Sequence, residues 1–440
     1  MKIRFMSALL WAILFISLGI VSCDSTPKGP YNVILIVVDT LRPDHLSYSG
    51  YPTSPNIEKL AKEGVIFKNC YSQSGWTLPA IATILCGQYP KDHSAISEVS
   101  KIRDEVPTLA EILSVNGYDT RAFVSHLFLM PSRGFARGFK TYDYSTARAS
   151  DPDRASTSET VTTIAERGLS DIKEPYFLFM HYFDPHWRYL AYPQYPFGDR
   201  DIDHYDAEIA NTDHFIGVLL DYLNSKKLLD KTIVILMGDH GEEFGEHNGR
   251  SHNTLYDEVL HVPLVIKTPF LKKGEIDAIA EQIDIVPTVL GMLNIKDAHQ
   301  FPGRNLFDAK TDTMPVFVER NNPVGTVQRG IIKGKFKLTR IEVDSAKVLD
   351  VRERALAKST DPVDRALIES VGLNVHPGIF LYDLNSDPHE KTNIFSQNQA
   401  KGEELLIALA KHFDKEKIPS SQISLSPDIE EKLRKLGYIR

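Results

Sequence analysis

The chain has 440 residues, of which 42% are hydrophobic and 25% are charged, and its formal net charge at pH 7 is -8. This length suits one large α/β domain with a smaller companion, and the composition excludes a large disordered fraction. The negative charge, without any basic run or basic patch interleaved with aromatic residues, excludes nucleic acid as an expected partner.

The N-terminus predicts export and membrane tethering. Two basic residues precede an apolar run from Leu9 to Val21, which is shorter than the ~20 residues that a membrane-spanning helix needs. The four residues Ile-Val-Ser-Cys that end at Cys23 resemble a bacterial lipoprotein box, in which the cysteine is lipidated after cleavage. We therefore expect a signal peptide with a lipobox at 1–23, a tether at 24–30, and an exported lipoprotein anchored to a membrane of the bacterial cell envelope. The alternative is a plain signal peptide with an incidental cysteine.

Helical and strand-like patterns alternate through most of the chain. Continuous apolar and β-branched runs predict strands, whereas apolar residues at helical spacing with glycine stops predict helices. Strands separated by helices predict a largely parallel sheet that is covered on both faces. In chain order the pattern predicts strands at 32–38, 65–69, 120–124, 176–181, 232–237 and 264–267, and helices at 55–64, 78–85, 108–116, 205–224 and 283–293.

Beyond about residue 310 the pattern changes to short strand-like runs, with no helix between most of them. The runs VFVE, GIIKG, KFKLTRI and GIFLYDL predict a small antiparallel sheet, and helices are predicted at 403–413 and 427–437. We therefore expect a main α/β domain at 31–310 and a smaller α+β subdomain at 311–440.

Polar residues follow three of the predicted strands at the point where each strand ends. Asp39 follows the first strand, the segment HYFDPH (181–186) ends another, and Asp239 and His240 follow the strand TIVILMG. Open α/β sheets bind ligands at the carboxyl ends of their strands, and carboxylates with imidazoles gathered there are typical of a metal site.

Five motifs, in this order along the chain, resemble those of sulfatases and related enzymes of the alkaline phosphatase superfamily. They are NVILIVVDTLRPDHLSYSGY, SQSGWTLPAIATILCGQYP, MHYFDPHWRY, GDHGEEFGEH and LYDEVLHVPLVI, and GIIKGKFKL and LYDLNSDPHEKTN resemble the small C-terminal subdomain of sulfatases. The resemblance covers nearly the whole mature chain. It implies a three-layer α/β sandwich with a mainly parallel central sheet, a catalytic domain at 31–310, and a metal-dependent hydrolase of anionic esters.

The resemblance also implies the metal ligands. Asp39 matches the first metal carboxylate of the family, and Asp239 with His240 matches the second metal-binding pair. Thr40 stands where the family often has a second Asp, and His240 stands where many sulfatases carry Asn. Because imidazole replaces an oxygen ligand, we expect a divalent cation, with zinc or manganese favoured over calcium.

The nucleophile position departs from the family pattern. Sulfatases carry C-x-P-x-R or S-x-P-x-R, whose first residue is oxidised to formylglycine, whereas the matching residues here run from Thr77 to Ile81. Threonine is not a formylglycine precursor, and Ile81 replaces the Arg, so no formylglycine is expected. A Thr77 hydroxyl on a cation at a helix N-terminus is still a competent nucleophile, as in the nucleotide pyrophosphatase and phosphoethanolamine transferase branches that it resembles. The alternative is that Thr77 only caps a helix.

The remaining assignments follow from the resemblance. His252 and His186 are expected to be catalytic and to assist the leaving group, with a second metal as the alternative for His252. His126 and Asp184 are expected to bind substrate, and the alternative for Asp184 is to orient His186 or to ligate a second cation. His181 is expected only to pack at its strand end. Cys70 and Cys86 are expected to be buried free thiols rather than a disulfide.

The function that the sequence favours is hydrolysis of a phosphate or sulfate ester, with Thr77 as nucleophile. The aromatic loop at 187–203 favours a sugar-linked or lipid-linked ester as substrate. Two alternatives are a transferase of phospho-headgroups and a catalytically inactive glycan-binding lipoprotein. The retained metal residues and hydroxyl disfavour the inactive protein, and the single short N-terminal segment disfavours the transferase.

Metabolic labelling with a fatty-acid analogue tests the predicted anchor. We expect label at Cys23 in the membrane fraction, and a Cys23→Ser variant without label. An uncleaved cytosolic chain would contradict export, whereas cleavage without label would contradict only the lipid anchor. Stable tethering by acyl chains needs more than one chain, so we expect multiple acylation.

Overall fold

The computed structural model describes residues 30–149, 156–308, 314–322, 325–358, 365 and 375–413. The predicted signal peptide, Cys23, most of the tether and the expected helix at 427–437 lie outside these residues. Among the residues described, no helix has the length and apolar character that crossing a membrane requires.

Two sheets carry most of the strands. The strands are, in chain order, Asn32–Val38 (β1), Val65–Tyr71 (β2), Asp119–Val124 (β3), Thr141–Asp143 (β4), Tyr176–Tyr182 (β5), Thr232–Gly238 (β6), Glu243–Phe244 (β7), Arg250–Ser251 (β8), His261–Lys267 (β9), Gly274–Glu281 (β10), Val316–Asn322 (β11), Thr326–Lys333 (β12), Phe336–Val343 (β13) and Gly378–Asp383 (β14). The main sheet has the spatial order β10-β2-β9-β6-β1-β5-β3-β4. Strand β9 runs antiparallel to both of its neighbours, and the other seven strands run in one direction.

Helices cover both faces of the main sheet. The α-helices are Pro55–Glu63 (α1), Thr77–Cys86 (α2), Pro90–His93 (α3), Leu109–Val115 (α4), Ser145–Ala149 (α5), Thr157–Gly168 (α6), Asp201–Ser225 (α7), Asp257–Leu260 (α8), Ile285–Met292 (α9), Ser345–Lys358 (α10) and Gln399–Phe413 (α11). Because side chains alternate along a strand, Val33, Leu35 and Val37 of β1 pack with α2, α4 and α9, while Ile34 and Ile36 pack with α1, α6 and α7. The predicted three-layer sandwich is confirmed.

The C-terminal sheet is antiparallel throughout, in the order β11-β12-β13-β14. Leu405 and Leu409 of α11 pack against Ile331 and Leu338 on one of its faces. On the other side, Val316 and neighbouring apolar residues pack against Tyr71 at the end of β2 and against Leu255 and Leu260. The smaller antiparallel subdomain is therefore confirmed, and its exact boundary at residue 310 stays a prediction.

Several elements were not predicted from the sequence, and three of them are longer than five residues. The pattern gave no strand at β10, because GEIDAIAE places charged and half-exposed residues on the edge of the sheet. It gave no helix at α6, and it gave no helix between β13 and β14, where α10 lies. Cys70 and Cys86 are both buried and free, as expected.

A buried ion pair within the C-terminal subdomain contacts the main domain. Lys337 Nζ on β13 lies 2.6 Å from Glu390 Oε1, and both side chains are fully buried. The backbone N–H of Asp257, at the start of α8, donates to the same oxygen at 2.8 Å. Burying a charge costs free energy unless it is paired and hydrogen-bonded, so each partner stabilises the other.

Breaking this pair from one side should destabilise the protein. In Lys337→Met the Glu390 carboxylate stays buried without its counter-charge, and we expect the free energy of unfolding to fall by about 3–5 kcal/mol in urea titrations. Adding Glu390→Gln should recover most of the loss, because glutamine still accepts from Asp257. The matched control is Lys333→Met, whose exposed ion pair with Glu404 should contribute little. A Lys337→Met variant as stable as this control would contradict the argument.

Candidate active site and metal centre

Two carboxylates and a hydroxyl meet at the carboxyl edge of the main sheet. Asp39 directly follows β1, Asp239 directly follows the adjacent strand β6, and both are fully buried. Thr77 is the first residue of α2, and its Oγ1 donates to Asp39 Oδ2 at 3.3 Å. Because β1 and β6 are parallel neighbours, their ends deliver both carboxylates to one place.

Thr77 is not the cap of its helix. Trp76, with an extended backbone, holds the cap position of α2. The Thr77 hydroxyl instead lies between Asp39 and His240, 3.4 Å from His240 Nε2. The alternative that Thr77 serves only as a helix cap is therefore wrong. The free N–H groups of the first turn, with the helix dipole, favour an anion at this position.

The buried carboxylates have oxygens that no hydrogen bond satisfies. Asp39 Oδ1 and Asp239 Oδ2 are buried without a hydrogen-bond partner, while Asp239 Oδ1 accepts from the backbone N–H of Thr40 and of His240. Burial raises the pKa of both carboxyls, and for Asp39 the charge of Asp239 acts in the same direction. Ionised carboxylates in this position need a cation.

The spacing of the donor atoms fits one divalent cation. His240 Nε2 lies 3.5 Å from Asp39 Oδ1 and 3.5 Å from Asp239 Oδ2. Ligands at about 2.0–2.1 Å from a tetrahedral metal lie roughly 3.3–3.4 Å apart. Asp39, His181 and Asp239 likewise offer ligand atoms that all lie within 4.8 Å of one another. The residues present therefore fit a metal ion held by Asp39, Asp239, His240 and Thr77, with His181 beside them.

Three histidines near this site use the same ring nitrogen, Nδ1, to contact a neighbouring acceptor. The Nδ1 atoms of His240, His252 and His186 lie at hydrogen-bonding distance from Gly241 O (3.0 Å), Glu242 Oε1 (3.1 Å) and Trp187 O (2.6 Å), respectively. A ring that donates from Nδ1 keeps a basic Nε2 for a proton or a metal. The ring centroids of His240 and His252 are 4.5 Å apart, and those of His186 and His252 are 5.2 Å apart.

Burial favours the neutral forms of His240 and His186. It lowers the pKa of His240 well below its usual value and that of His186 to about 3, and in both cases the charge of His252 adds to the effect. Glu242, which is fully buried, accepts from Tyr189 Oη at 3.0 Å and so holds its carboxylate against His252. Glu242 was not among the predicted site residues, although it stands inside the GDHGEE motif.

His126 reaches the site in the opposite orientation. Its Nδ1 accepts from the Phe128 N–H at 2.9 Å, so the neutral ring carries its proton on Nε2, which lies 4.0 Å from Asp39 Oδ2. Burial, with the charge of His186, lowers the His126 pKa well below its usual value. The structure therefore places His126 behind Asp39, and its expected role in binding substrate stays a prediction.

His181 was wrongly interpreted as a packing residue. Its Nε2 lies 3.8 Å from Asp39 Oδ2, neither ring nitrogen has a hydrogen-bond partner, and burial lowers its pKa to about 3. On β5 it pairs in register with Val37 and shares a face with Phe179, which is the face that α2 covers. In the sequence, the alternation of side chains along this strand indicates that His181 points to the same face as Phe179.

Asp184 does not join the cluster, contrary to its expected role in substrate binding. Its oxygens accept from the backbone N–H groups of Thr157 and Ser158 and from the hydroxyls of Ser156, Thr157 and Ser158, which open α6. This carboxylate therefore caps a helix on the far side of the loop that carries His186. The motif predicted a polar role for Asp184, and the helix that occupies it was missing from the sequence prediction.

Gln282 supports the end of β6, the strand that leads to Asp239. Its Nε2 donates to Asp239 O at 2.6 Å and to Gly238 O at 3.1 Å, while its Oε1 accepts from Ser72 Oγ at 3.0 Å. It therefore ties the end of β6 to the segment that leads to Thr77. Only the tertiary contact identifies it, because no pattern in the sequence marks this residue.

The chain belongs to the sulfatase family, whose model matches residues 31–295. It is thus a hydrolase that acts on ester bonds. An ulvan-active sulfatase from Formosa agariphila is 27% identical over 67% of this chain and 69% of that protein. The multifunctional alkaline phosphatase superfamily protein PehA from Trinickia caryophylli is 22% identical over 82% of this chain and 91% of that protein.

Solved structures share the fold. A protein in complex with its substrate D-glucosamine-2-N,6-O-disulfate superposes with a TM-score of 0.69 at 17% identity, covering 88% of this chain and 98% of that one. The phosphonate monoester hydrolase of Agrobacterium radiobacter gives a TM-score of 0.69 at 18% identity, covering 90% of this chain and 100% of that one. At these identities the likeness establishes the fold alone.

Metal analysis of purified variants tests the site. Asp239→Ala should lose the bound metal and the activity together, because a ligand is removed, whereas Asp184→Asn should keep the metal, because Asp184 caps a helix. The metal displaces protons from two carboxyls whose pKa is raised, so the apparent affinity of the wild type should increase with pH. A metal-loaded and active Asp239→Ala protein would contradict the assignment.

Proposed function

We propose that this protein hydrolyses a phosphate or sulfate ester, with Thr77 as the nucleophile. The observation that carries the proposal is the position of Thr77 Oγ1, within 3.3–3.4 Å of Asp39 and His240 at the N-terminus of α2. A zinc or manganese ion held by Asp39, Asp239, His240 and Thr77 would lower the pKa of the hydroxyl and neutralise developing negative charge.

The chain's own residues would then divide the reaction as follows. Asp39 Oδ2 accepts the hydrogen bond of the Thr77 hydroxyl, and the N-terminus of α2 stabilises the alkoxide. Thr77 Oγ1 attacks the phosphorus or sulfur in line with the departing oxygen, which leaves the substrate's acid group covalently on Thr77. Water then hydrolyses this ester and restores the hydroxyl.

His252 and His186 are placed to handle the leaving group. Their ring centroids lie 5.2 Å apart, and in both rings Nδ1 is at hydrogen-bonding distance from an acceptor. Glu242 holds His252 through Nδ1, so the carboxylate stabilises the ring when it is protonated. A ring that donates from Nδ1 would first accept at Nε2 the proton released by the Thr77 hydroxyl and then donate it to the departing oxygen, so that oxygen leaves protonated.

A threonine nucleophile favours attack on phosphorus, because threonine is not a formylglycine precursor. Ile81, at the position where the family motif has Arg, lies on α2 and is buried in the apolar core. The relatives favour a sugar-linked ester, since one is named for ulvan and a structural neighbour binds a sulfated glucosamine. The half-buried Trp187 follows His186 in the chain, and its apolar ring suits stacking on a sugar.

We further propose that the enzyme works as an exported, membrane-anchored lipoprotein.

Two substitutions at Thr77 test the nucleophile. Thr77→Ala should abolish turnover by several orders of magnitude on a panel of phosphate monoesters, phosphate diesters and sulfate esters, while the protein stays folded. Thr77→Ser keeps a hydroxyl and should retain measurable turnover. Mass spectrometry of the wild type should find Thr77 unmodified at rest. Wild-type turnover by folded Thr77→Ala would refute the proposal.

A further inference from the structure

Two loops that carry active-site residues touch each other through their backbones. Gly75 lies two residues before Thr77, and a Cβ atom there would lie 2.6 Å from Val259 Cγ1, 2.9 Å from Thr254 O and 3.4 Å from His252 O. No side chain fits in this space, so the loop before Thr77 and the loop after His252 pack directly together. The relative position of nucleophile and imidazole depends on this contact.

The C-terminal sheet holds the first of these loops. The N–H of Glu319 on β11 donates to Gln73 O at 2.9 Å, and Ser74 Oγ donates to Glu319 O at 2.7 Å. The next residue, Arg320, donates from one guanidinium nitrogen to Gly75 O at 2.6 Å. The guanidinium also lies 6.0 Å from the centre of the Trp76 ring. Residues of strand β11 therefore contact every residue from Gln73 to Trp76.

The same guanidinium holds the second loop. The other terminal nitrogen of Arg320 donates to Asn253 Oδ1 at 2.9 Å, next to His252. Gln328, directly opposite Arg320 across β11 and β12, donates to Asn253 O at 2.7 Å. Arg320 is only 7% exposed, and a buried guanidinium with several oriented acceptors holds those acceptors in fixed positions.

We propose that Arg320 is a positioning residue for the reaction at Thr77. Its fork joins the Thr77 loop to the His252 loop and so sets the nucleophile at its working distance from the imidazole. The C-terminal sheet thereby completes the active site by holding these two loops together. The inference rests on the proposed function, in which Thr77 attacks and His252 assists departure of the leaving group. A misplacement of about 1 Å at such a site is enough to slow turnover about 100-fold.

Substitution of Arg320 tests this role through kinetics. Arg320→Met should lower kcat about 10–100-fold on the best ester of the panel, with KM nearly unchanged, because substrate contacts are retained while the reacting groups separate. Arg320→Lys keeps the charge but not the fork, so it should recover only part of kcat. The matched control is Arg329→Met. Arg329 lies on the other face of the same strand pair, opposite Glu319, with its guanidinium over the Phe413 ring.

Hydrogen exchange separates positioning from a general loss of stability. Arg320→Met should increase exchange at residues 72–78 and 251–255, with the rest of the main sheet unchanged, whereas Arg329→Met should leave both loops as in the wild type. Folded Arg320→Met with wild-type kcat would overturn the proposal, as would a loss of kcat shared equally by Arg329→Met. If the wild type turns over no ester, the proposed function fails, and unchanged exchange in both loops of Arg320→Met would then overturn the positioning role separately.

Discussion

The cost of burying two carboxylates side by side governs the site. Asp39 and Asp239 follow adjacent parallel strands, are excluded from water, and leave one oxygen each without a hydrogen bond. Desolvation raises the pKa of both carboxyls, and the charge of Asp239 adds to the effect on Asp39, so in the ionised state they are stable only with a cation. The brace from Gln282, the backbone donors to Asp239 and the neutral imidazoles all serve to orient groups toward the place where that cation fits. The chemistry proposed for Thr77 depends on the same arrangement.

Sequence patterns identified features that depend on neighbouring residues in the chain, and they missed features that depend on contacts between distant segments. The strands ending at Asp39 and Asp239 were predictable, because an apolar run followed by a carboxylate is a local signal, and so was the helix that begins at Thr77. Glu242 and Arg320 were not, since their roles depend on which loop packs beside them. Asp184 was misassigned because the helix that it caps was not recognised. His181 was misassigned because its strand position was considered without the face to which it points.

Two departures from the family motif have consistent structural explanations. Thr40, at the position where the resemblance implies a second Asp, donates its hydroxyl to Pro185 O at 2.9 Å and so holds the loop that carries His186. Ile81, at the position where the family motif has Arg, lies on α2 and packs in the apolar core. Each substitution replaces a charged group by one that binds or packs within the protein, which is compatible with a hydroxyl nucleophile that needs no modified side chain beside it.

The direction of β9 determines which part of the chain is open to change. Because β9 runs against its neighbours, its first residue, His261, lies at the same edge of the sheet as the last residue of β6, Gly238. Residues 239–260 therefore leave and re-enter the sheet on one side, without a crossover connection. Insertions in the outer part of this excursion, around 245–250, lengthen a surface loop and disturb neither the sheet register nor its hydrophobic layers. Proteins of this architecture can therefore alter this loop, which leads to His252, while the sheet stays constant.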